Sequence, residues 1–281
     1  MIALTRRDIT DHQAVVPWQS MVQVEQDLVL CRTMQALFAD SFLDSQIAMR
    51  GGTLLHKVHL APAARYSEDI DLVVVGPRPA AHIEKALQRV LREPLGRPVD
   101  SIWDDIALAI RNTVKPSRVL RMTFAVPSVV EPGNRMQIVV EANTTERTSY
   151  LPVQRLKFEF PFQGNTVRAD VRGFDIHEML GTKMRALFQR RRGRDLFDLF
   201  WAFQHAGASI SPARVIDCFG HYLRQEGSTA VRSDFIALLD GHLTDRGFRS
   251  DMNRLLRSDL AYEPDKAGSL IKAELLSLLP A

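Results

Sequence analysis

The chain has 281 residues, of which 46% are hydrophobic and 25% charged, with a net charge of +3. That is enough chain to bury a core unaided, as one large domain or two modest ones. The balance excludes a disulfide-rich scaffold, and so mild a positive charge does not by itself mark a nucleic-acid binder. Cys31 and Cys218 lie far apart, with no metal-ligand spacing. They read as small buried apolar residues in a reducing compartment. The opening MIALTRRDITDHQ lacks an apolar leader core, and no stretch reaches the ~20 apolar residues of a membrane span. A soluble, cytoplasmic protein is expected.

In chain order, helical periodicity runs from about Val22 to Phe42, with Val24, Leu28, Cys31, Leu37 and Phe38 recurring on it. QIAMR is a short strand that Gly51 and Gly52 break, and TLLHKV begins a helical turn. DIDLVVV is a strand ended by GPRP. AAHIEKALQRVLREPLG is an amphipathic helix with Ile83, Leu87, Val90 and Leu91 on one face. RVLRMTFAVP and RMQIVVEAN alternate as strands, and RLKFEFPF and TVRADVR do so more weakly. Near Gly173 the pattern turns helical. Asp175 with Glu178 three residues later is a helix-start signal of the capping-box kind. GRDLFDLFWAFQHAG, SPARVIDCFGHYLRQEG, a segment around Phe235 to Leu239, RGFRSDMNRLLRSDL and DKAGSLIKAELLSLL follow as helices. The expectation is an α+β N-terminal domain over residues 1–170, a mixed sheet with flanking helices, then a helical domain over 171–281.

Several groups could carry chemistry. Asp69 and Asp71 stand two apart on a strand, so they face the same way at about 6.6 Å along the chain. Such carboxylates repel unless a cation lies between them, and Mg²⁺ favours oxygen ligands of this kind. They could equally be two solvated acids at a loop edge. Upstream, RGGTLLHK turns a strand into a helix start. Gly51 and Gly52 would let the backbone approach a phosphate, with Thr53 adding a hydroxyl. A plain tight turn is the alternative. Glu141 shares a strand face with Gln137 and Val139, where a third acid could join a metal site and serve as base. In KMRALFQRRRGRDLFDLF, Lys183, Arg185, Arg190, Arg191, Arg192 and Arg194 crowd one segment, and Asp195 and Asp198 share a helix face. This is either a solvated basic face, with Asp195 capping or pairing with arginine, or a site where Lys183 meets nucleotide phosphates and the arginines grip a nucleic-acid backbone. The histidines show no ligand spacing, and there is no Walker A loop or Rossmann fingerprint.

The order of these motifs is more specific than any one of them. Strand, Gly-Gly, helix, strand with D-x-D, then an acid on a later strand resembles the polymerase-β-like nucleotidyltransferase superfamily. RGGTLLHK, RYSEDIDLVV and LGTKMRALFQRRRGRDLFDLFWA resemble the AbiEii/AbiGii toxins of type IV toxin–antitoxin and abortive-infection systems, over roughly residues 45 to 205. The resemblance implies a nucleotidyltransferase that uses a nucleoside triphosphate such as ATP or CTP and two Mg²⁺ ions. An acceptor hydroxyl, most naturally the tRNA 3′ end, attacks the α-phosphate. Asp69, Asp71 and Glu141 would hold the metals, and Gly51, Gly52 and Thr53 the phosphates. Lys183 and Asp195 match motif residues of the family's nucleotide site, Asp198 would be structural, and Arg190, Arg191, Arg192 and Arg194 would face nucleic acid. A cognate antitoxin is the implied partner. The compact superfamily pattern has Gly-Ser where this chain has Gly-Gly-Thr, and HKVHLAPAA must be absorbed before the D-x-D strand. Transfer to a small molecule or protein side chain, or a binding module without catalysis, are the competing readings.

Overall fold

The structure is a computed structural model, which describes residues 4–92, 108–112 and 119–281. Two compact units divide it. One takes in the chain to Ser149 together with Val153–Phe174, the other Tyr150–Pro152 with Asp175–Ala281. The fold is mixed α+β, a mixed sheet with flanking helices. No helix among the described residues is long and apolar enough to cross a membrane.

The first unit begins with α1 (Arg6–Gln13) and α2 (Met21–Ala39). Ser20 starts α2 with a reciprocal capping box to Gln23, which satisfies two helix-start groups at once. The long helix expected to reach Phe42 divides at Asp40. That residue leaves the helical conformation and caps α3 (Ser41–Gln46), its side chain accepting from the Leu43 amide. Strand β1 (Ile47–Arg50) follows. The Gly-Gly turn opens α4 (Gly51–Leu54), which widens into a π-helical turn over Leu55–His59. Then come β2 (Asp69–Val74), α5 (Ala80–Arg92), β3 (Leu108–Asn112), β4 (Val119–Pro127), β5 (Arg135–Asn143), β6 (Gln154–Phe162) and β7 (Asn165–Gly173). Ile83, Leu87, Val90 and Leu91 of α5 are buried as its periodicity requires, and the EPLG end of that segment lies outside the described residues. The two weaker strand candidates pair as the β6–β7 hairpin, turning at Gln163 and Gly164 with positive φ.

The strand order is β3-β4-β5-β2-β1-β7-β6. The central contacts decide the site. β2 pairs parallel with β5 and antiparallel with β1, and β1 pairs parallel with β7. Along β2 the even residues Ile70, Leu72 and Val74 are buried, and α2 packs against β2, β5 and β7. Asp69 and Asp71 face the other way and are partly exposed. In β5, Met136, Ile138, Val140 and Ala142 go to the core, while Gln137, Val139 and Glu141 share the open face. The period of two therefore places all three acids on one side of the sheet.

The helical unit contains α6 (Ile176–Gln189), α7 (Gly193–Ala206), α8 (Pro212–Gln225), α9 (Arg232–Thr244), α10 (Arg246–Ser250) and α11 (Pro264–Glu274). Asp175 caps α6 by accepting from the His177 amide. Glu178, fully buried, accepts from the amides of Tyr150 (2.8 Å) and Leu151 (2.9 Å) and from the Tyr222 hydroxyl. It thereby ties the 150–152 segment into this unit. RGFRSDMNRLLRSDL is helical only over α10. Beyond it Asp251 turns back to accept from the Arg194 amide.

Candidate active site

Asp69 and Asp71 sit at the N-terminal end of β2 because Ile70, Leu72, Val73 and Val74 bury the strand and fix its pleat. In register, Asp69 pairs with Val139 and Asp71 with Glu141. Neighbouring strands run about 4.8 Å apart, so the Asp71 and Glu141 side chains are cross-strand neighbours on the open face. The Glu141 side chain is 30% exposed and meets Arg121 Nη1 of β4 through Oε1 at 3.1 Å.

The Gly-Gly turn is built around these acids. Gly51 has φ +80°, and a Cβ there would lie 1.8 Å from Asp71 Oδ2. Only glycine accepts both that backbone conformation and a carboxylate over its α-carbon. A Cβ on Gly52 would meet Arg65 Nη2 at 2.5 Å and Ser67 Oγ at 3.1 Å. The two glycines therefore admit side chains of the D-x-D loop. Thr53 is fully buried, and its hydroxyl is engaged with Ser67 Oγ (2.9 Å) and the Asp69 carbonyl. It ties the start of α4 to the start of β2. Sequence reasoning passed over Arg65 and Ser67, both buried beside this turn. Their signal was a charged and a hydroxyl residue immediately before D-x-D.

A second charge cluster lies in the same unit. Asp27 of α2 receives the Lys57 ammonium on Oδ2 and His12 Nε2 on Oδ1 at 2.7 Å. Burial alone would raise the Asp27 carboxyl. The Lys57 ammonium and the His12 imidazole outweigh it and hold the group well below the usual carboxylate range. Cys31 lies 3.9 Å from Asp27, and burial pushes its thiol up to about 12. Among the described residues, only His12, Asp27 and Cys31 bring three metal-type donor atoms within 4.8 Å of one another. Lys57 already supplies the cation there, so the cluster reads as a buried ion pair tying the helix after the Gly-Gly turn to α2.

In the helical unit, Lys183 stands between two fully buried acids, with Nζ 2.8 Å from Asp198 Oδ2 and 3.4 Å from Asp195 Oδ1. Arg190 clasps Asp195 with both ends of its fork, Nε to Oδ2 at 2.8 Å and Nη2 to Oδ1 at 3.0 Å. Arg194 pairs with Asp251 and Arg191 with Asp245, while Arg192 is exposed. Much of the basic run is thus engaged by acids of its own unit.

A family model described as the nucleotidyl transferase AbiEii toxin of type IV toxin–antitoxin systems matches residues 32–273. The chain belongs to the AbiEii family. It is accordingly a nucleotidyltransferase toxin of a toxin–antitoxin system. No curated protein matches the chain. Among solved structures it is similar to MenT4, a nucleotidyltransferase toxin from Mycobacterium tuberculosis H37Rv. The identity is 16% and the TM-score 0.66, over 99% of this chain and 91% of that one. At that identity the likeness speaks for the fold. The family match covers both units, so the AbiEii assignment takes in the sheet acids and the Lys183 cluster alike.

The donors on the sheet suit a hard divalent cation. Asp69, Asp71 and Glu141 offer only carboxylate oxygens, on one face, and two of them are register partners. The tight seat of Asp71 over Gly51 fixes one of these donors in place.

Proposed function

We propose that this AbiEii-family chain transfers nucleotides from a nucleoside triphosphate to the 3′ end of tRNA in a Mg²⁺-dependent reaction. The observation that carries the reading is the shared sheet face of Asp69, Asp71 and Glu141, with Asp71 and Glu141 in direct register. Asp69 and Asp71 would hold the ions, with Glu141 as third acid. Bound there, two Mg²⁺ ions would polarise the attacking and leaving oxygens. The acceptor hydroxyl oxygen bonds to the α-phosphorus, the α–β anhydride bond breaks, and pyrophosphate leaves. Glu141 takes the hydroxyl proton. Gly51, Gly52 and Thr53 set the turn that holds Asp71 and the start of β2, and the backbone at that turn would approach the phosphates.

Lys183 and Asp195 are carried as nucleotide-site residues, with Asp198 and Arg190 holding them in place. The exposed guanidinium groups of Arg191 and Arg192, with Arg190 and Arg194 beside them, would meet the RNA backbone, which A-form RNA offers by shape rather than by sequence. A cognate antitoxin is the expected protein partner, in the cytoplasm.

The deciding experiment incubates the protein with total tRNA, Mg²⁺ and each labelled nucleoside triphosphate in turn, with Asp69→Ala as control. Label on tRNA that needs Asp69 is expected. Label that appears only when a small hydroxylated molecule or a protein replaces the tRNA would overturn the acceptor assignment.

A further inference from the structure

Five charged residues stand in one register row across the sheet, which begins with Arg111 on β3 opposite Arg121 on β4. Arg121 on β4 is the register partner of Glu141 on β5, Glu141 of Asp71 on β2, and Asp71 of Arg50 on β1. Register partners project to the same face, so from Arg121 to Arg50 the row reads cation, anion, anion, cation. The β1–β2 pair and the β4–β5 pair are far apart in sequence, and these in-register charges on the face that bears the D-x-D acids need an explanation.

The outer arginines are held loosely. Arg121 Nη1 meets Glu141 at 3.1 Å with side chains 46% and 30% exposed, and Arg50 Nη1 meets Glu146 at 3.1 Å with 26% and 46%. Ion pairs this wet are worth little and exchange readily. The pair at Lys57 and Asp27 differs, with side chains 6% and 1% exposed. That contrast also explains why the His12–Asp27–Cys31 donors carry no exchange: their cation is sealed in.

Arg121 competes directly with any ion that Glu141 would bind. Its guanidinium already neutralises the carboxylate, and a divalent cation arriving between Asp71 and Glu141 would repel it. A guanidinium displaced from Glu141 remains on β4, on the same face of the sheet. Its planar fork matches phosphate oxygens two at a time, which a lysine cannot do.

We propose that Arg121 is an exchangeable counter-ion for Glu141: it neutralises this acid in the metal-free protein, yields it to the divalent ion, and then binds the polyphosphate of the incoming nucleoside triphosphate. This rests on the metal and nucleotide reading of the same face. A purely structural cross-strand pair would instead leave both metal and nucleotide binding untouched when removed.

The test measures binding rather than turnover. Mn²⁺ alone is titrated by electron paramagnetic resonance into the wild type, Arg121→Gln, Arg121→Lys and Asp71→Asn. An α,β-methylene triphosphate analogue is then titrated calorimetrically with Mn²⁺ present. Arg121 is half exposed, so the variants are expected to fold, and thermal unfolding checks this. Arg121→Gln is expected to bind Mn²⁺ alone about two- to fivefold more tightly, the worth of one exposed ion pair. It should bind the analogue about tenfold more weakly, and Arg121→Lys should recover part of that loss. Unchanged or weaker Mn²⁺ binding by Arg121→Gln, or unchanged analogue affinity, overturns the exchange. Failure of the underlying metal reading shows separately, as Mn²⁺ binding that Asp71→Asn leaves intact.

Discussion

The α/β unit carries two clusters of charge with opposite access to water. Lys57, Asp27 and His12 are sealed, their side chains 6%, 1% and 2% exposed, and they join α1 and α2 to the helix after the Gly-Gly turn. Asp69, Asp71, Glu141 and their flanking arginines lie on the open face of the sheet, partly exposed. A buried pair is costly to form and costlier to break, so it serves to hold one arrangement. A half-exposed group keeps its charge at little cost and can change partners. Charge type alone does not separate the two clusters, because both contain a carboxylate beside a cation. Solvent access does.

The comparison predicts opposite responses to the removal of one charge. Asp71→Asn, on the open face, should lower nucleotide transfer about a thousandfold or more with little change in unfolding midpoint. A clear fall in stability would make Asp71 a structural acid. Asp27→Asn, in the sealed cluster, should cost about 3–5 kcal/mol in urea unfolding, because Lys57 is left buried without its counter-charge. The acid side of the stability profile should change as well. The Asp27 carboxyl is depressed in the fold, so its contribution is complete above its unfolded value of 3.8 and is lost as pH falls from there toward the folded-state value. Stability measured from about pH 6 down to about pH 3 should fall less steeply in Asp27→Asn than in the wild type. Gly51→Ala lies between the two. Its side chain would sit at positive φ and crowd Asp71. A stability loss of about 1–2 kcal/mol is expected, with an activity loss larger than that strain accounts for. Equal transfer rates in Gly51→Ala and wild type would show that the seat of Asp71 over this glycine is unimportant.

The acids were legible in the sequence because their signal is local. D-x-D at the mouth of an apolar strand, and Glu141 alternating with Met136, Ile138 and Val140, follow from the period of two. The pairing of Arg121 with Glu141 was invisible. Arg121 is one of many arginines, and its partner is on another strand. The role of Gly51 and Gly52 was also only half legible. Two glycines before a helix announce a turn, and only the fold brings Asp71, Arg65 and Ser67 against them. The basic run reads either as a solvated face with Asp195 pairing with arginine or as a nucleic-acid surface; the Arg190–Asp195 pair is local, whereas Asp245 and Asp251, which engage Arg191 and Arg194, lie tens of residues further along the chain. The division of the first long helix at Asp40 was missed because Asp40 caps α3 by a side-chain bond that apolar spacing does not encode.

By itself, the sequence determined the α+β class, most of the strands and helices, the placement of Asp69, Asp71 and Glu141 on strands and the membership of a nucleotidyltransferase family. These depend on hydrophobic period and on residue types at short spacing, which any stretch of chain displays without its neighbours. Only the tertiary structure decided which charges stand in one row on the sheet, which lysine is sealed and which arginine is loose. Those outcomes depend on strand register and burial, and both come from contacts between residues far apart in the chain.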